Sequence, residues 1–456
     1  MADVNVKTRF SALVAGAVGS KQIFEIAGFG IPKAAIFILS GGPTDTSIGA
    51  NLNLSIGFTD GVNQNASSTY AADNVSSSLA GRLARTDRVI VGCNGGDTPV
   101  ETVGCSFSQW TANGVEITRD LEVFSTTIMS VILINGDDVA EVYAGSKALT
   151  GTAPISITDP TFEPSLVFQH SACYGTLDTP NGFMYGSFGI GINDGPLTQK
   201  SAGWWVNRAV TAPQATLALL DSFAHQAFNL AVSWAANITS YDPTGFTLTP
   251  TADPVGDYVF YLAIRLTGSP DIALFDTSIP TTGNYIQNFG FEPDFGFIVS
   301  ADSLTTRNSA AQATDILGVS FSSFAGSPSN QATICGTFLD DSTVTNTVAK
   351  SIGSSKLYVR SWDNSGWAVV EDSHVATPTG WDFTLTINPP IRPLLGFGLA
   401  LGVPTTTPGG TQEMYTRNAA GDGWDSNQPY VNVGGTWVAV DAYENVGGVW
   451  VPVYEQ

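Results

Sequence analysis

At 456 residues the chain has room for about three domains, and 43% hydrophobic residues supply several cores. Charged residues make up only 13%, about half the usual ~25%, which excludes a disordered chain or a coiled coil. With 18 Lys and Arg against 40 Asp and Glu, the net charge of −22 repels nucleic-acid phosphates and anionic lipid headgroups. Nucleic acid is therefore not an expected partner. Nor is membrane insertion expected, because no apolar run reaches the ~18 residues a span needs.

In chain order, residues 1–22 are expected to form an N-terminal arm or strand. Lys7 and Arg9 before the short apolar stretch 12–18 resemble a secretory signal faintly, but Asp3 and Gly16 argue against one. From residue 23 onward, four landmarks recur three times in the same order, the mark of an internal repeat. They divide the chain into units at 23–150, 151–278 and 279–404.

In the first unit, Phe29-Gly-Ile-Pro32 leads into the apolar run Ala34-Ala-Ile-Phe-Ile-Leu39. A glycine strand follows at Ile56-Gly57-Phe-Thr-Asp60-Gly61, then a turn into a strand at Asn113-Gly114-Val-Glu-Ile-Thr118. The last landmark, Ser130-Val-Ile-Leu133, starts 16 residues after Gly114. The second unit repeats these at Phe162-Glu-Pro164, Ile190-Gly191, Thr244-Gly245-Phe-Thr-Leu-Thr249 and Tyr261-Leu-Ala-Ile264. The third has Phe291-Glu-Pro293, the weaker Leu317-Gly318, Thr379-Gly380-Trp-Asp-Phe-Thr384 and Gly396-Phe-Gly-Leu399.

These signals read as β. Proline fixes φ and lacks a donor, which suits the head of a strand. The short Phe-, Ile- and Val-rich runs after it fit strands buried in a sandwich core. Asp-Gly and Asn-Gly permit the positive φ of tight hairpins. Phe246 and Leu248 alternate with Thr247 and Thr249, the period of a half-buried strand. Residues 215–227 fit a short amphipathic helix through Leu217, Leu220 and Phe223, or a strand. The expected fold is therefore all-β, with three tandem β-sandwich-like repeats. A C-terminal β-hairpin module at 405–456 completes it. That module carries Val-Gly-Gly-x-Trp twice, ending at Trp437 and Trp450, each copy a hairpin around Gly-Gly.

With both features in view, the chain resembles virion structural proteins of tailed bacteriophages. The repeat is similar to one in tail and particle-associated proteins, and the paired Val-Gly-Gly-x-Trp module to C-terminal modules of tail-tip and fibre proteins. The resemblance implies a non-enzymatic structural component of the virion, assembled in the host cytoplasm and tail-associated as fibre, spike or tip. Its implied partners are other virion proteins, further copies of itself (a homo-oligomer such as a trimer) and a host-surface glycan. Two alternatives stand beside it, a capsid-decorating or head-fibre protein and a secreted or phage-borne carbohydrate-active protein.

Chemistry is weakly signalled. His170, His225 and His374 show no metal-site spacing, and no Gly-x-Ser-x-Gly elbow occurs. The pairs Asp137-Asp138, Asp340-Asp341 and Glu371-Asp372 point to opposite faces of a strand and make no acid–base clamp alone. Asp302, Asp315, Asp422 and Asp425 lack a full calcium-ligand series. No cofactor, metal or catalytic residue is assigned. Arg82, Arg85 and Arg88 read as a solvated strand end. Cys93 and Cys105 are read as buried thiols, with a bridge between them left open. Trp204, Trp205, Trp362, Trp367, Trp437 and Trp450 are the candidate glycan or interface contacts, because flat aromatics beside amides and carboxylates suit sugars. Core packing is the competing reading for each.

Overall fold

The computed structural model describes the chain except for residues 1–3, 41–47, 50, 73–78, 96–98, 124, 173–175, 196, 207–214, 229–230, 255, 268–270, 280–282, 302–306, 309–315, 326–330, 340–346, 354–358, 364–365, 370–372, 386–393, 403–414, 417–428, 434–435, 440–442, 447–448 and 453–456. The described residues contain strands and turns and no helix. They fall into two compact units, residues 1–403 and 404–456.

Repeat 1 comprises β1 (Asn5–Leu13), β2 (Lys21–Glu25), β3 (Ala34–Leu39), β4 (Ile48–Gly49), β5 (Leu52–Thr59), β6 (Gln64–Ala71), β7 (Ala80–Arg85), β8 (Ile90–Cys93), β9 (Glu101–Thr111), β10 (Gly114–Arg119) and β11 (Thr127–Asn135). Repeat 2 comprises β12 (Val139–Leu149), β13 (Ile155–Ile157), β14 (Leu166–Ser171), β15 (Met184–Ile192), β16 (Gln199–Val206), β17 (Ala215–Leu220), β18 (Ala224–Phe228), β19 (Ala231–Asp242), β20 (Gly245–Pro250) and β21 (Asp257–Leu266). Repeat 3 comprises β22 (Asp271–Ile279), β23 (Gly283–Asn288), β24 (Phe295–Ala301), β25 (Ile316–Ala325), β26 (Gln331–Leu339), β27 (Thr347–Gly353), β28 (Val359–Asp363), β29 (Gly366–Val369), β30 (Ser373–Thr377), β31 (Gly380–Leu385) and β32 (Leu394–Gly402).

Each repeat is an antiparallel sandwich with one strand order. The large sheets run β1-β11-β3-β5-β6-β7, β12-β21-β14-β15-β16-β17 and β22-β32-β24-β25-β26-β27, and the small sheets run β2-β10-β9-β8, β13-β20-β19-β18 and β23-β31-β30. In repeat 3 the long strand corresponding to β9 and β19 is divided into β29 and β30. There β28 lies over β25 and β26, as β8 lies over β5 and β6. Residues 1–22 are not a free arm, since β1 pairs along its whole length with β11. The expected boundaries at 150 and 278 fall one strand late, because β12 pairs with β21 and β22 with β32. The ambiguous stretch 215–227 is β17 and β18.

The landmarks have physical causes. The lead-in aromatics Phe29, Phe162 and Phe291 are each buried in their own sandwich core. Gly114, Gly245 and Gly380 sit where a Cβ would run into the carbonyl oxygen of Phe24, Ile157 and Gln287 respectively, the same close approach three times. Just beyond this glycine, the long partner strands β9 and β19 carry a bulge, at Ser108 opposite Glu116/Ile117 in one and at Thr239 between Ile238 and Ser240 in the other. Gly57 matches Gly189 in side-chain packing, not Gly191 as the sequence alignment has it. A Cβ on either would strike a backbone carbonyl just ahead of the small sheet's last strand, that of Val89 before β8 or Phe223 before β18.

The fourth landmark is correct in strand and wrong in face. Pairing of Ala34 with Ile134, Leu166 with Ile264 and Phe295 with Leu401 makes those residues equivalent. The constant interval of 16 residues thus misaligns repeats 2 and 3 by one residue each against repeat 1, in opposite directions, and a one-residue slip turns every side chain to the other face.

Both faces of each large sheet are buried, which explains the unbroken apolar runs. In β3, Ala35, Phe37 and Leu39 face the repeat's own small sheet. Ala34, Ile36 and Ile38 face a second core shared by all three repeats, with Leu166, Phe168, Leu262 and Ile264 from repeat 2 and Phe295, Phe297, Leu399 and Leu401 from repeat 3. The repeats are therefore not beads on a string but three sandwiches closed around one axis. At ~1.5–3 kcal/mol per buried large apolar side chain, this shared core is a major source of the unit's stability.

Ring closure is completed by reciprocal loops. Asn181 of repeat 2 bridges Arg82 at the outer edge of β7. Asn308 of repeat 3 donates its backbone N–H to Leu219 O on β17, at 3.0 Å. From repeat 1, β4 pairs with β27. Each repeat thus reaches over the outer strand of the preceding one, and the last contact joins repeat 1 to repeat 3. Such head-to-tail contacts end in a ring when the rotation closes.

In the C-terminal unit, β33 (Tyr415–Thr416), β34 (Pro429–Val433) and β35 (Thr436–Ala439) form one sheet, and β36 (Tyr443–Val446) and β37 (Val449–Pro452) form a hairpin.

Candidate functional site

Trp204 and Trp205 do not form a binding face. Trp204 is 2% exposed in the shared core and donates its Nε1–H to Thr69 Oγ1 at 3.3 Å. Trp205, 3% exposed, packs edge-on against Phe228, and its Nε1 has no hydrogen-bond partner among the described residues. Consecutive residues on β16 point to opposite faces, and here both faces are covered. The glycan reading of these two is corrected accordingly. Trp362 lies on β28 and Trp367 on β29, while Trp437 and Trp450 stand opposite Asn432 and Asn445 in their hairpins. The side chains of these four lie outside the described residues, as do Cys173, Asp302, Asp315, Asp340, Asp341, Glu371, Asp372, Asp422 and Asp425.

The arginine cluster is not a solvated strand end. Arg82 is 2% exposed with its guanidinium 4.8 Å from the Tyr185 ring centroid. Arg85 pairs with Asp87 at 2.8 Å, Glu101 at 3.3 Å and Asp178 at 3.4 Å, and Arg88 with Asp87 at 2.7 Å and Asp120 at 3.3 Å. The hydrogen bond to Asp87 raises the Arg85 pKa, and the same bond lowers that of Asp87. Burial outweighs the arginines at Glu101 and raises its carboxyl. Arg85 and Arg88 are spent on acids of their own chain.

Cys93 and Cys105 are separate thiols. Cys105 stands opposite Ile90 and Cys93 opposite Glu101, and burial pushes both thiols up to about 12, so neither is a thiolate nucleophile at neutral pH. His170 and His225 are fully buried, and burial pushes each down to about 3, holding the imidazole neutral. His225 Nδ1 bonds Ser201 Oγ at 2.7 Å. Asp257 is fully buried, raised to about 7 by desolvation, and accepts the Trp234 indole N–H. No group of three or more His, Cys, Asp and Glu side chains among the described residues has metal-holding geometry.

The seams between repeats hold polar chemistry that spacing did not reveal. At the first, His170 Nδ1 bonds Ser67 Oγ at 2.7 Å and its Nε2 bonds Asn65 Oδ1 at 2.9 Å, while Asn65 Nδ2 donates to Gly145 O at 3.0 Å. At the second, Lys200 pairs with Asp276 at 2.7 Å and Asp221 at 3.2 Å, and Arg307 with the same two carboxylates at 3.0 and 3.3 Å. Burial raises the Asp221 carboxyl, but Asn308, Lys200 and Arg307 outweigh it and hold the pKa below the ordinary value.

Above the first seam opens a cleft of about 360 Å³, within the ~300–1,000 Å³ range of small-molecule sites. Repeat 1 lines it with Asn63, Gln64, Thr86 and Asp87, and repeat 2 with Tyr143, Gly145, Ser146 and Asp159. Gly145 leaves room for the buried Tyr261, since a Cβ there would run into the Tyr261 hydroxyl. Tyr143 stacks on Tyr261 with centroids 6.2 Å apart, and the Tyr261 hydroxyl donates to Asp159 Oδ2 at 3.4 Å. Asp60 closes the seam below by accepting from the backbone N–H groups of Val62, Asn63 and Ala144. No sequence motif marks this cleft, because its two walls come from different repeats.

No protein-family model matches the chain, and no curated protein matches it.

Proposed function

We propose that this chain is a non-enzymatic structural component of a bacteriophage particle, tail-associated as a fibre, spike or tip component, with a part in host-surface adhesion. The observation that carries the reading is the closed ring. Three sandwiches of one strand order share a core and interlock through reciprocal loops, so one chain has the rigidity of a trimer. A threefold body offers three similar contacts to a symmetric assembly. The paired Val-Gly-Gly-x-Trp hairpins add a second element of the resemblance to tail proteins. The buried histidines and thiols support a role in structure, because they are spent on core contacts.

The ring also favours a second reading, a protein decorating the head, since a threefold body suits a threefold lattice position equally well. Immunogold electron microscopy of purified particles, with an antibody against residues 411–456, separates the two. Label at the tail end is the expected result. Label across the head selects decoration, and particles without label overturn the virion reading in favour of a secreted carbohydrate-active protein.

A further inference from the structure

We infer that the cleft between repeats 1 and 2 binds a neutral saccharide, with Tyr143 as its aromatic wall and Asp159 as its principal acceptor of sugar hydroxyls. The inference gives the adhesive part of the proposed function a ligand class, and it rests on that reading only for its biological purpose.

Charge accounting selects the ligand. Three carboxylates surround the cleft, which at first sight suits a cation. Asp60, however, is saturated by Val62, Asn63 and Ala144 N–H groups at 2.6–2.9 Å and by the Asn63 side-chain amide at 2.9 Å. Asp87 is neutralised by Arg85 and Arg88. Among the described residues, Asp159 alone of the three keeps acceptor capacity, its one hydrogen bond there being the long one from Tyr261. The cleft thus offers a single uncommitted carboxylate, the side-chain N–H groups of Asn63 and Gln64, the hydroxyls of Thr86 and Ser146 and the ring of Tyr143, which is backed by the buried Tyr261. Vicinal sugar hydroxyls donate to a carboxylate and accept from amides, while the C–H face of the ring lies on an aromatic. Among the described residues, a di- or trivalent cation would find only one uncommitted carboxylate, and an anion would find no unpaired positive group.

The other repeats lack this constellation. At the positions of Tyr143 and Gly145, strand pairing places Lys7 and Arg9 in repeat 1 and Ala273 and Phe275 in repeat 3. Tyr143 and Gly145 therefore occur together at one seam, whereas the second is joined by the Lys200 and Arg307 ion pairs and the last by the β4–β27 pairing.

Saturation-transfer NMR on the full chain tests this, with glucose, galactose, mannose, rhamnose, N-acetylglucosamine, cellobiose, maltose and lactose as probes. At least one is expected to receive saturation on its ring C–H protons. Tyr143→Ala and Asp159→Asn are each expected to weaken that binding tenfold or more. Asp159 is exposed, so its variant remains informative if Tyr143→Ala fails to fold. Absence of transfer to every probe overturns the inference, as does binding that Asp159→Asn and a cleft-filling Thr86→Trp both leave unchanged. These results are read on purified protein, so a failed site and a failed virion reading are told apart by the particle labelling.

Discussion

Two seams of the same ring are closed by different chemistry. Asn65 on β6 and Lys200 on β16 occupy the same position in the repeat, and each reaches the first strand of the next repeat, at Gly145 O and at Asp276. Around Asn65 the seam is neutral and fully buried, with His170 between Asn65 and Ser67. Around Lys200 it is ionic and half-exposed, with Asp276 and Asp221 about half open to solvent. The equivalents of Ser67 and His170 there are Ala202 and Val299, both in the shared apolar core. Closure therefore comes from the backbone order and the apolar core, and each seam's polar groups are free to set how it responds to pH and salt.

That division can be broken at its common part first. Phe297 lies 6.4 Å from Phe168 and 5.3 Å from Phe188 by ring centroid, joining repeat 3 to repeat 2. Phe297→Ala is expected to cost about 3–5 kcal/mol in denaturant unfolding. A loss under ~1 kcal/mol would mean that the repeats do not share a core.

Next comes the neutral seam. His170→Leu leaves Asn65 Oδ1 and Ser67 Oγ buried without their partner, at about 1–3 kcal/mol for each unsatisfied group. The pH dependence follows from the same burial. His170 and His225 have folded pKa values near 3 against 6.5 for the free side chain. The unfolded chain takes protons that the fold refuses, so their stabilisation is complete above pH 6.5 and is lost as pH falls toward 3. Asp257, raised from 3.8 to about 7, acts oppositely: its carboxylate costs stability above pH 7, and that cost is relieved as pH falls between those values. Thermal melts of His170→Leu between pH 6.5 and 3 should therefore show a shallower acid slope than the parent chain. An unchanged slope would remove His170 from the acid response.

The ionic seam gives the smallest effect. Arg307→Met should cost about 1 kcal/mol, because half-exposed pairs are screened by solvent. The parent should lose a similar amount in high salt, and the variant should lose less. Equal salt sensitivity in both would assign the salt response to other charges.

Much of the fold was legible where its cause is local. The lead-in prolines, the buried aromatics before them and the glycines at 114, 245 and 380 each answer to a constraint within one repeat. Spacing failed at the last strand, where loops absorb a residue and only the pairing of Ile134, Ile264 and Leu401 reveals which face is which. Ring closure was hidden for a related reason. A strand buried on both faces looks the same whether its second face meets a neighbouring repeat or another molecule. The site was least legible, since Trp204 and Trp205 carry the composition of a sugar platform but lie in cores. Tyr143, Gly145 and Asp159 acquire meaning only beside Asn63, Thr86 and Asp87 of the preceding repeat.

The most direct test of closure is a disulfide across the seam that joins the first repeat to the last. A Cβ on Gly336 of β26 would lie 3.4 Å from Leu52 Cγ of β5, close enough for Leu52→Cys and Gly336→Cys to bridge. Mild oxidation of the folded, monomeric double variant should give one peptide pair linking residues 52 and 336 by mass spectrometry. Two unlinked thiols on a folded monomer would contradict the ring and return the repeats to a tandem string.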